Sequence, residues 1–465
     1  MDFIALAIRK ILFPVLRLVK GNQTLSYISH FEKTQYLPQE QLVQLQKEKL
    51  GKLLLHCVQH VPAYQGFQNL IPLIEKDPME ALAQFPVLTK QVVNDNQEQL
   101  ISSIADRSKL IPNRSGGSTG QPVRFYIDRP TAESSESVRW RALSWWDINI
   151  GDRCLMVWGN PLEMSQHKKL LYHMKERILK NTIFVSAYNL SPEALQQYVG
   201  VLNRTRPKYF YGYASALYLF AQHILQNNIK IKHPPRAIIS TSETLHDYQR
   251  VVIEKAFASK VINEYGARDA GIIAYECPQG RMHVSSENMI VEIVDIATKK
   301  PVEPGKSGLV VITDLNNFSM PRLRYQIGDI AALSEEKCTC GRTLPILDKI
   351  EGREDDIFIA ENGSYVHGVY FANLARSYPS IQQFQIIQHS RESITLKVVK
   401  SSGFQQAEMD RYIDAIQSTM GKVNIRVEYV DSIPPSASGK TRYSKREFAI
   451  GTEGDGTEGT GTLSQ

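Results

Sequence analysis

At 465 residues, 42% of them hydrophobic and 22% charged, the chain has the composition of an ordinary folded protein and the length for two or more cores. Its net charge of +6 is mild, and with no concentrated basic tract and no interleaving of basic and aromatic residues it argues against DNA or RNA as a partner. Five cysteines, an odd number without a disulfide-like framework, fit a reducing cytoplasm.

In chain order, residues 1–37 come first as an amphipathic N-terminal segment. Ile4, Ile8, Ile11, Leu12, Val15, Leu18 and Val19 recur at helical spacing. Arg9, Lys10, Arg17 and Lys20 gather within an arc of roughly 100°. Charge interrupts the segment too often for a membrane span, and it lacks the basic start and small-residue cleavage site of a signal peptide. Two placements stay open: packing on the protein's own body, or peripheral contact with the inner face of a membrane through residues 1–20. Leu6 and Phe13 break up the polar face, and Pro14 invites a kink. Residues 38–60 are predicted as a helix with Leu42, Leu45, Leu50, Leu53 and Leu54 near helical spacing, ended by Pro62. His56 and His60 lie four apart on it without a third ligand nearby and read as ordinary helix residues.

The run Arg114 to Pro122 then places Ser115, Gly116, Gly117, Ser118, Thr119 and Gly120 in one polar loop ahead of the strand-like Val123 to Ile127. Glycines let backbone N–H groups approach an anion and turn toward it, and the hydroxyls add donors, so the loop suits phosphate. A plain Ser/Gly surface turn is the alternative. Arg124 adds a cation beside the loop or is a solvated strand residue. Farther on, apolar strands at Cys154 to Trp158 and Val261 to Tyr265 alternate with helical stretches such as Pro192 to Leu202, which indicates α/β layers. Ser240, Thr241, Ser242, Glu243 and Thr244 follow the apolar Ala237 to Ile239, putting polar groups at a strand's carboxyl end, where such sheets bind ligands. The aromatic density of Tyr209 to Tyr213 and Trp140 to Trp146 fits core packing and also permits an aryl or apolar ligand. Met289 to Val294 and Gly308 to Thr313 are predicted as strands of a smaller sheet.

Three short polar turns carry acidic groups: Tyr265-Gly266-Ala267-Arg268-Asp269, Tyr325-Gln326-Ile327-Gly328-Asp329 and Gly352-Arg353-Glu354-Asp355-Asp356. After Arg353 the order becomes strand, helix, strand, strand, helix, strand, including Phe384 to Ile387, Ser393 to Val399, a helix over Ala407 to Met420 and Val423 to Val430. Near its end, Pro434-Pro435-Ser436-Ala437-Ser438-Gly439-Lys440-Thr441-Arg442 sets one lysine on a flexible turn. The close of this run imitates a Walker A loop, but the first glycine of that pattern would fall on Pro434, so Lys440 reads as a mobile cation. From Gly451 the Gly/Thr/Glu tail has no apolar residue before Leu463 and is expected to be disordered.

Cys277, His283, Cys338 and Cys340 form a plausible tetrahedral Zn²⁺ set, closed by four protein ligands and therefore structural; reduced thiols in a loop are the alternative. Cys57 and Cys154 sit in apolar sequence and read as small buried hydrophobes.

The phosphate-type loop, the three acidic turns and the Lys440 segment, in this order, resemble the adenylate-forming superfamily of acyl-CoA synthetases. The likeness is closest to its phenylacetate-CoA ligase branch, which includes relatives found in capsular-polysaccharide gene sets, and it spans about residues 40–448. The resemblance implies an α/β fold: a large multi-layered adenylation domain over residues 38–352, a small mobile α+β lid over 353–450 and a disordered tail over 451–465. It implies ATP-dependent activation of a carboxylic acid to an acyl-adenylate with release of pyrophosphate, then transfer to the thiol of CoA. The Ser115–Gly120 loop would hold the β- and γ-phosphates. Asp269 falls where the family usually has a glutamate that ligates Mg²⁺; being one methylene shorter, it leaves room for an intervening water. Glu243, Tyr265 and Gly266 fall in nucleotide-binding segments, and Asp329 matches the aspartate that takes the ribose hydroxyls. Arg353 matches the arginine at the interdomain hinge, with Asp355 at the pivot. Lys440 matches the lysine that bridges the attacking carboxylate and the α-phosphate, which makes Lys440 and Asp269 the expected catalytic residues. Some members of the branch carry structural zinc at positions matching Cys277, His283, Cys338 and Cys340. The segment Ile357 to Ser364, which shapes a pantetheine tunnel in CoA-using members, here carries Glu361, so a carrier-protein thiol or an amine stays open as acceptor. A non-catalytic scaffold for membrane-associated polysaccharide assembly, with the N-terminal helix as its working part, is the reading from a different class.

Overall fold

The computed structural model describes residues 3–115, 123–158, 174–187, 189–353, 356–375, 377–434 and 443–448. A short antiparallel hairpin, β1 (Ile111–Arg114) and β2 (Arg124–Ile127), flanks the phosphate-type loop. The main sheet follows with β3 (Cys154–Trp158), β4 (Thr182–Ser186), β5 (Tyr209–Tyr213), β6 (Ala237–Thr241), β7 (Lys260–Ala267) and β8 (Gly271–Glu276). It continues through β9 (Met282–Val284), β10 (Met289–Val294), β11 (Gly308–Asp314), β12 (Tyr325–Ser334) and β13 (Ile346–Arg353). These form one eleven-stranded sheet in the order β10-β11-β12-β13-β9-β8-β7-β6-β5-β3-β4.

One half of this sheet is parallel and the other antiparallel. β3 to β7 run parallel, joined by helices such as Pro192–Thr205, Ala214–Gln226 and Asp247–Phe257. Helices cover both faces, which is why the strands read as near-continuous apolar runs. Successive residues serve opposite layers: Phe210 and Ile238 pack in one buried cluster, Tyr211 and Ile239 in the other. From β7 onward the pairing is antiparallel. The strands predicted at Met289 to Val294 and Gly308 to Thr313 are present, but they do not make a separate smaller sheet. β9 pairs with both β8 and β13, and that three-residue strand joins the two halves. Its shortness kept it hidden from periodicity.

The C-terminal unit opens with a hairpin, β14 (Ile357–Ile359) and β15 (Tyr365–His367), turned at Asn362-Gly363 with Gly363 at φ +79°. A four-stranded sheet follows, in the order β18 (Asn424–Tyr429), β17 (Ser393–Lys400), β16 (Ile381–Ser390), β19 (Ser444–Arg446). Helices Gly368–Ala375 and Gln406–Met420 complete a core around Phe358, Phe371, Leu396, Tyr412 and Ile416.

At the other end, residues Phe3–Lys20 are helical, with a π turn over Ile8–Leu12 just before Pro14. Proline at 14 supplies no N–H and crowds the preceding turn, and the wider turn is the local answer. Ala5 and Ile8 bury against Gly151, where a Cβ would meet the Ala5 carbonyl at 2.7 Å, and Arg9 pairs with Asp152 at 3.2 Å. The helix Gln39–His60 stands as its leucine spacing predicts.

Candidate active site

Two neighbouring acidic positions are built from the junction of the parallel and antiparallel halves. β7 delivers Tyr265, and its next residue must be glycine, because a Cβ on Gly266 would lie 2.6 Å from the Gly271 carbonyl oxygen. That close β7–β8 approach makes a tight turn and buries Asp269 at its tip. β12 supplies Tyr325, whose hydroxyl donates to Asp269 Oδ2 at 2.6 Å, and Asp329, which lies directly across from Arg353 of β13. Tyr265 donates to Asp329 Oδ2 at 3.0 Å, and Arg353 Nη1 donates to Oδ1 at 2.9 Å. Burial, reinforced by the Asp329 carboxylate, pushes the Tyr265 phenol well above its usual range, so it stays a donor. The Asp329 carboxylate is buried and uses one lone pair on each oxygen, leaving each oxygen able to accept one more hydrogen bond.

Cations surround these carboxylates. Gly328, at φ +82°, brings the chain so near that a Cβ there would lie 3.5 Å from both Arg353 Nη2 and Lys90 Nζ. Arg322 donates to the Asp269 carbonyl at 2.8 Å, and its guanidinium lies over the Phe125 ring at 4.5 Å. Since Phe125 is on β2, this contact ties the phosphate-type hairpin to the Asp269 turn. At the neck of that hairpin Ser115 N donates to the Val123 carbonyl at 2.9 Å, and Ser115 Oγ accepts from Val123 N at 2.8 Å. Gly116, Gly117, Ser118, Thr119, Gly120, Asp355 and Lys440 lie outside the described residues. Glu243 follows β6, but its carboxylate accepts from Ser215 N at 2.8 Å and thereby serves the start of the helix Ala214–Gln226. Glu361 likewise accepts from Lys422 N at 2.7 Å. Lys90, Arg322 and Tyr325 were missed as site residues. Tyr325 lies inside an acidic turn and was legible there, whereas Lys90 and Arg322 come from remote or unpatterned sequence.

The four predicted metal ligands converge elsewhere. Ligand atoms of Cys277, His283, Cys338 and Cys340 all lie within 4.8 Å of one another. Cys277 Sγ is 3.7 Å from Cys338 Sγ, and Cys340 Sγ is 3.2 Å from His283 Nε2. A tetrahedral ion with bonds of about 2.0–2.3 Å needs ligand separations of this size. His283 Nδ1 faces the Leu344 carbonyl at 3.2 Å, a contact that places the proton there and leaves the Nε2 lone pair toward the thiols. All five cysteines are free, and Cys57 and Cys154 are buried among apolar groups, as expected.

Comparison with known proteins bears on this arrangement. Residues 358–447 match the CapK C-terminal domain family. The chain is 26% identical over 368 residues to Protein CapK of Staphylococcus aureus, covering 78% of this chain and 79% of that one. It is 25% identical over 337 residues to phenylacetate-coenzyme A ligase of Thermus thermophilus, covering 70% and 73%. By these matches the chain is similar to CapK and to the phenylacetate-CoA ligases of the adenylate-forming superfamily. Its fold agrees with the crystal structure of 2-hydroxyisobutyryl-CoA ligase in the postadenylation state with 2-HIB-AMP, at a TM-score of 0.71, 19% identity, and coverage of 89% and 91%. None of the described helices is long and apolar enough to cross a membrane.

Proposed function

We propose that the chain activates a carboxylic acid with ATP, forming an acyl-adenylate and pyrophosphate, and passes the acyl group to the thiol of CoA. The observation that carries this reading is the buried Asp329 carboxylate, fixed by Tyr265 and Arg353 with one acceptor position left on each oxygen. Two adjacent acceptors at that spacing suit the vicinal hydroxyls of ribose. In the first step a substrate carboxylate oxygen bonds to the α-phosphorus as the bond to the bridging oxygen breaks, and pyrophosphate leaves with the electron pair. The Ser115–Gly120 loop would hold the departing phosphates, and Lys440 would offset the repulsion between the attacking and α-phosphate oxygens as a point cation. Asp269, oriented by Tyr325, would hold Mg²⁺, which supplies charge neutralisation at the phosphates. Arg353 joins the ribose site to the start of the lid, so lid rotation and nucleotide contact share one residue. In the second step the CoA thiolate adds to the acyl carbonyl, the mixed-anhydride C–O bond breaks, and AMP departs.

The Cys277–His283–Cys338–Cys340 cluster is assigned to a structural Zn²⁺, supported by its donor set and spacing. The protein is assigned to the cytoplasm, at the inner face of the membrane. Supporting this, the N-terminal helix packs through Ala5 and Ile8 yet leaves Phe3, Ile4, Ile11, Val15, Leu18 and Val19 exposed.

The testing experiment is carboxylate-dependent pyrophosphate release from ATP and Mg²⁺ across aryl, fatty, hydroxy and amino acids, with wild type and Lys440→Ala. Release that requires both an acid and Lys440, followed by thioester formation when CoA is added, is expected. Protein that binds ATP yet stays silent with every acid would count against the reading.

A further inference from the structure

At the carboxyl edge of the parallel strands lies an ionic network, buried at Glu264 and opening toward Arg139 and Lys180, that an aryl or aliphatic pocket has no use for. Register places Tyr213 opposite Thr241 and Thr241 opposite Glu264, with Trp158 at the adjoining end of β3, so these side chains follow the carboxyl edge of the parallel strands. Ligands bind along that edge in open α/β sheets, and Tyr265, whose side chain takes the opposite face of β7 from Glu264, reaches Asp329 from the same end of the strand. Glu264 accepts from the Tyr211 hydroxyl, from Thr241 Oγ1 at 3.1 Å and from Arg139 Nε at 3.2 Å. Arg139 also donates from Nη1 to Glu136 at 3.3 Å, and Lys180 stands 3.9 Å from the same carboxylate. Directly across from Glu264, the Tyr275 hydroxyl is buried and has no hydrogen-bond partner among the described residues. The ring of Trp158 closes on Tyr213 at 4.3 Å between centroids.

We propose that this network is the acyl-recognition site and that the acid is a neutral hydroxyl-bearing one, such as a hydroxy or polyhydroxy acid; the inference rests on the adenylation reading above. The side chain of Glu264 is 2% exposed and that of Arg139 is 31% exposed, so the arginine is the more accessible member of the pair. Two carboxylates already offset Arg139, so a second carboxylate on the substrate would meet Glu136 and Glu264. An ammonium would meet Arg139 and Lys180. A hydroxyl both donates and accepts, and satisfies either sign without adding charge. An apolar acyl group would leave the buried Tyr275 hydroxyl without a partner, which is costly.

The test uses full-length protein and matched acids of equal chain length, with and without hydroxyls, plus phenylacetate. We expect kcat/KM for pyrophosphate release to favour the hydroxylated acid on the order of 10²-fold or more, because a site built to bond a hydroxyl rejects the analogue lacking it. Arg139→Met should collapse that ratio through KM for the acid while leaving KM for ATP unchanged, and Arg139→Lys should restore part of it. Calorimetric binding of the same acids, without turnover, reads the pocket independently of the chemistry. Should Arg139→Met fail to fold, Glu136→Gln takes its place, with the same loss of discrimination expected. Preference for the deoxy or aryl acid, or a ratio unmoved in a folded variant, would overturn the proposal. Selective calorimetric binding without pyrophosphate release would uphold the hydroxy-acid pocket and remove the adenylation reading instead.

Discussion

Replacing Asp329 by asparagine tests the ribose assignment with the least disturbance, since the side chain keeps its shape and loses its charge. In the wild type each carboxylate oxygen spends one lone pair inside the protein, on Tyr265 or on Arg353, and offers the other outward. Asparagine keeps one acceptor oxygen, so one ribose hydroxyl loses its partner and either Tyr265 or Arg353 faces an amide NH₂. A hydrogen bond to a charged group contributes about 1.5–3 kcal/mol. AMP binding should therefore weaken by roughly 10- to 150-fold. The Arg353–Asp329 pair is mostly buried, so neutralising the aspartate leaves the guanidinium partly uncompensated and lowers stability by more than loss of a surface ion pair would. Isothermal titration of AMP, 2′-deoxy-AMP and 3′-deoxy-AMP measures the binding loss, and thermal unfolding the change in stability: the wild type should discriminate against each deoxy nucleotide, and Asp329→Asn should lose much of that discrimination for at least one of them. Unchanged AMP affinity in the folded variant, or a wild type that binds the deoxy nucleotides as well as AMP, would refute the assignment.

Three further outcomes are expected. Gly266→Ala places a methyl 2.6 Å from the Gly271 carbonyl, an overpacking cost of about 1–3 kcal/mol that lowers Tm and, by shifting Tyr265, weakens AMP binding; a variant as stable as wild type would contradict the close approach. Elemental analysis should find about one zinc per chain, with Cys340→Ser or strong chelation lowering Tm on the order of 5–10 °C, and substoichiometric metal in carefully purified protein would remove the assignment. Vesicle flotation should show salt-sensitive binding to anionic lipid, reduced about tenfold or more by Leu18→Ser with Val19→Ser; because both side chains are exposed, Tm should not move, and undiminished flotation would count against the helix.

Much of this architecture was legible because its signals are local. Met289 to Val294 is a buried strand in both sequence and structure, and the leucine spacing of residues 38–60 matches Gln39–His60. Asp269 and Asp329 stood out as acids in short polar turns, and Cys338 and Cys340 as a close pair of thiols. What escaped was what depends on long-range pairing. The single large sheet needs β9, three residues long, to join β8 with β13. Lys90 reaches the Gly328 turn from a helix far upstream. Glu264 reads as one acid in an apolar strand; only the sheet shows Tyr211, Thr241 and Arg139 gathered on it. Nothing local to Glu243 signals that one of its oxygens accepts from the Ser215 amide, twenty-eight residues upstream.

One hairpin connects the two centres. β12 and β13 pair from Asp329 opposite Arg353 at one end to Ser334 opposite Ile346 at the other. Beyond that second end lie Cys338 and Cys340, tied to His283 of β9 and Cys277 after β8. Register in a sheet is coupled along the whole strand, since a one-residue slip sends every side chain to the opposite face. Two irregularities already interrupt this ladder, at Ile330/Ala331 and Ala332/Leu333, so pairing alone leaves its far end weakly specified. Cross-linking that end to β8 and β9 through four ligands would fix the register that sets Asp329 against Arg353. On the proposed function the lid would pivot just after Arg353, at one end of a strand whose other end the zinc ligands would clamp. On this argument, loss of zinc should weaken nucleotide binding as well as stability, although every ligand lies at the far end of the hairpin from the ribose site.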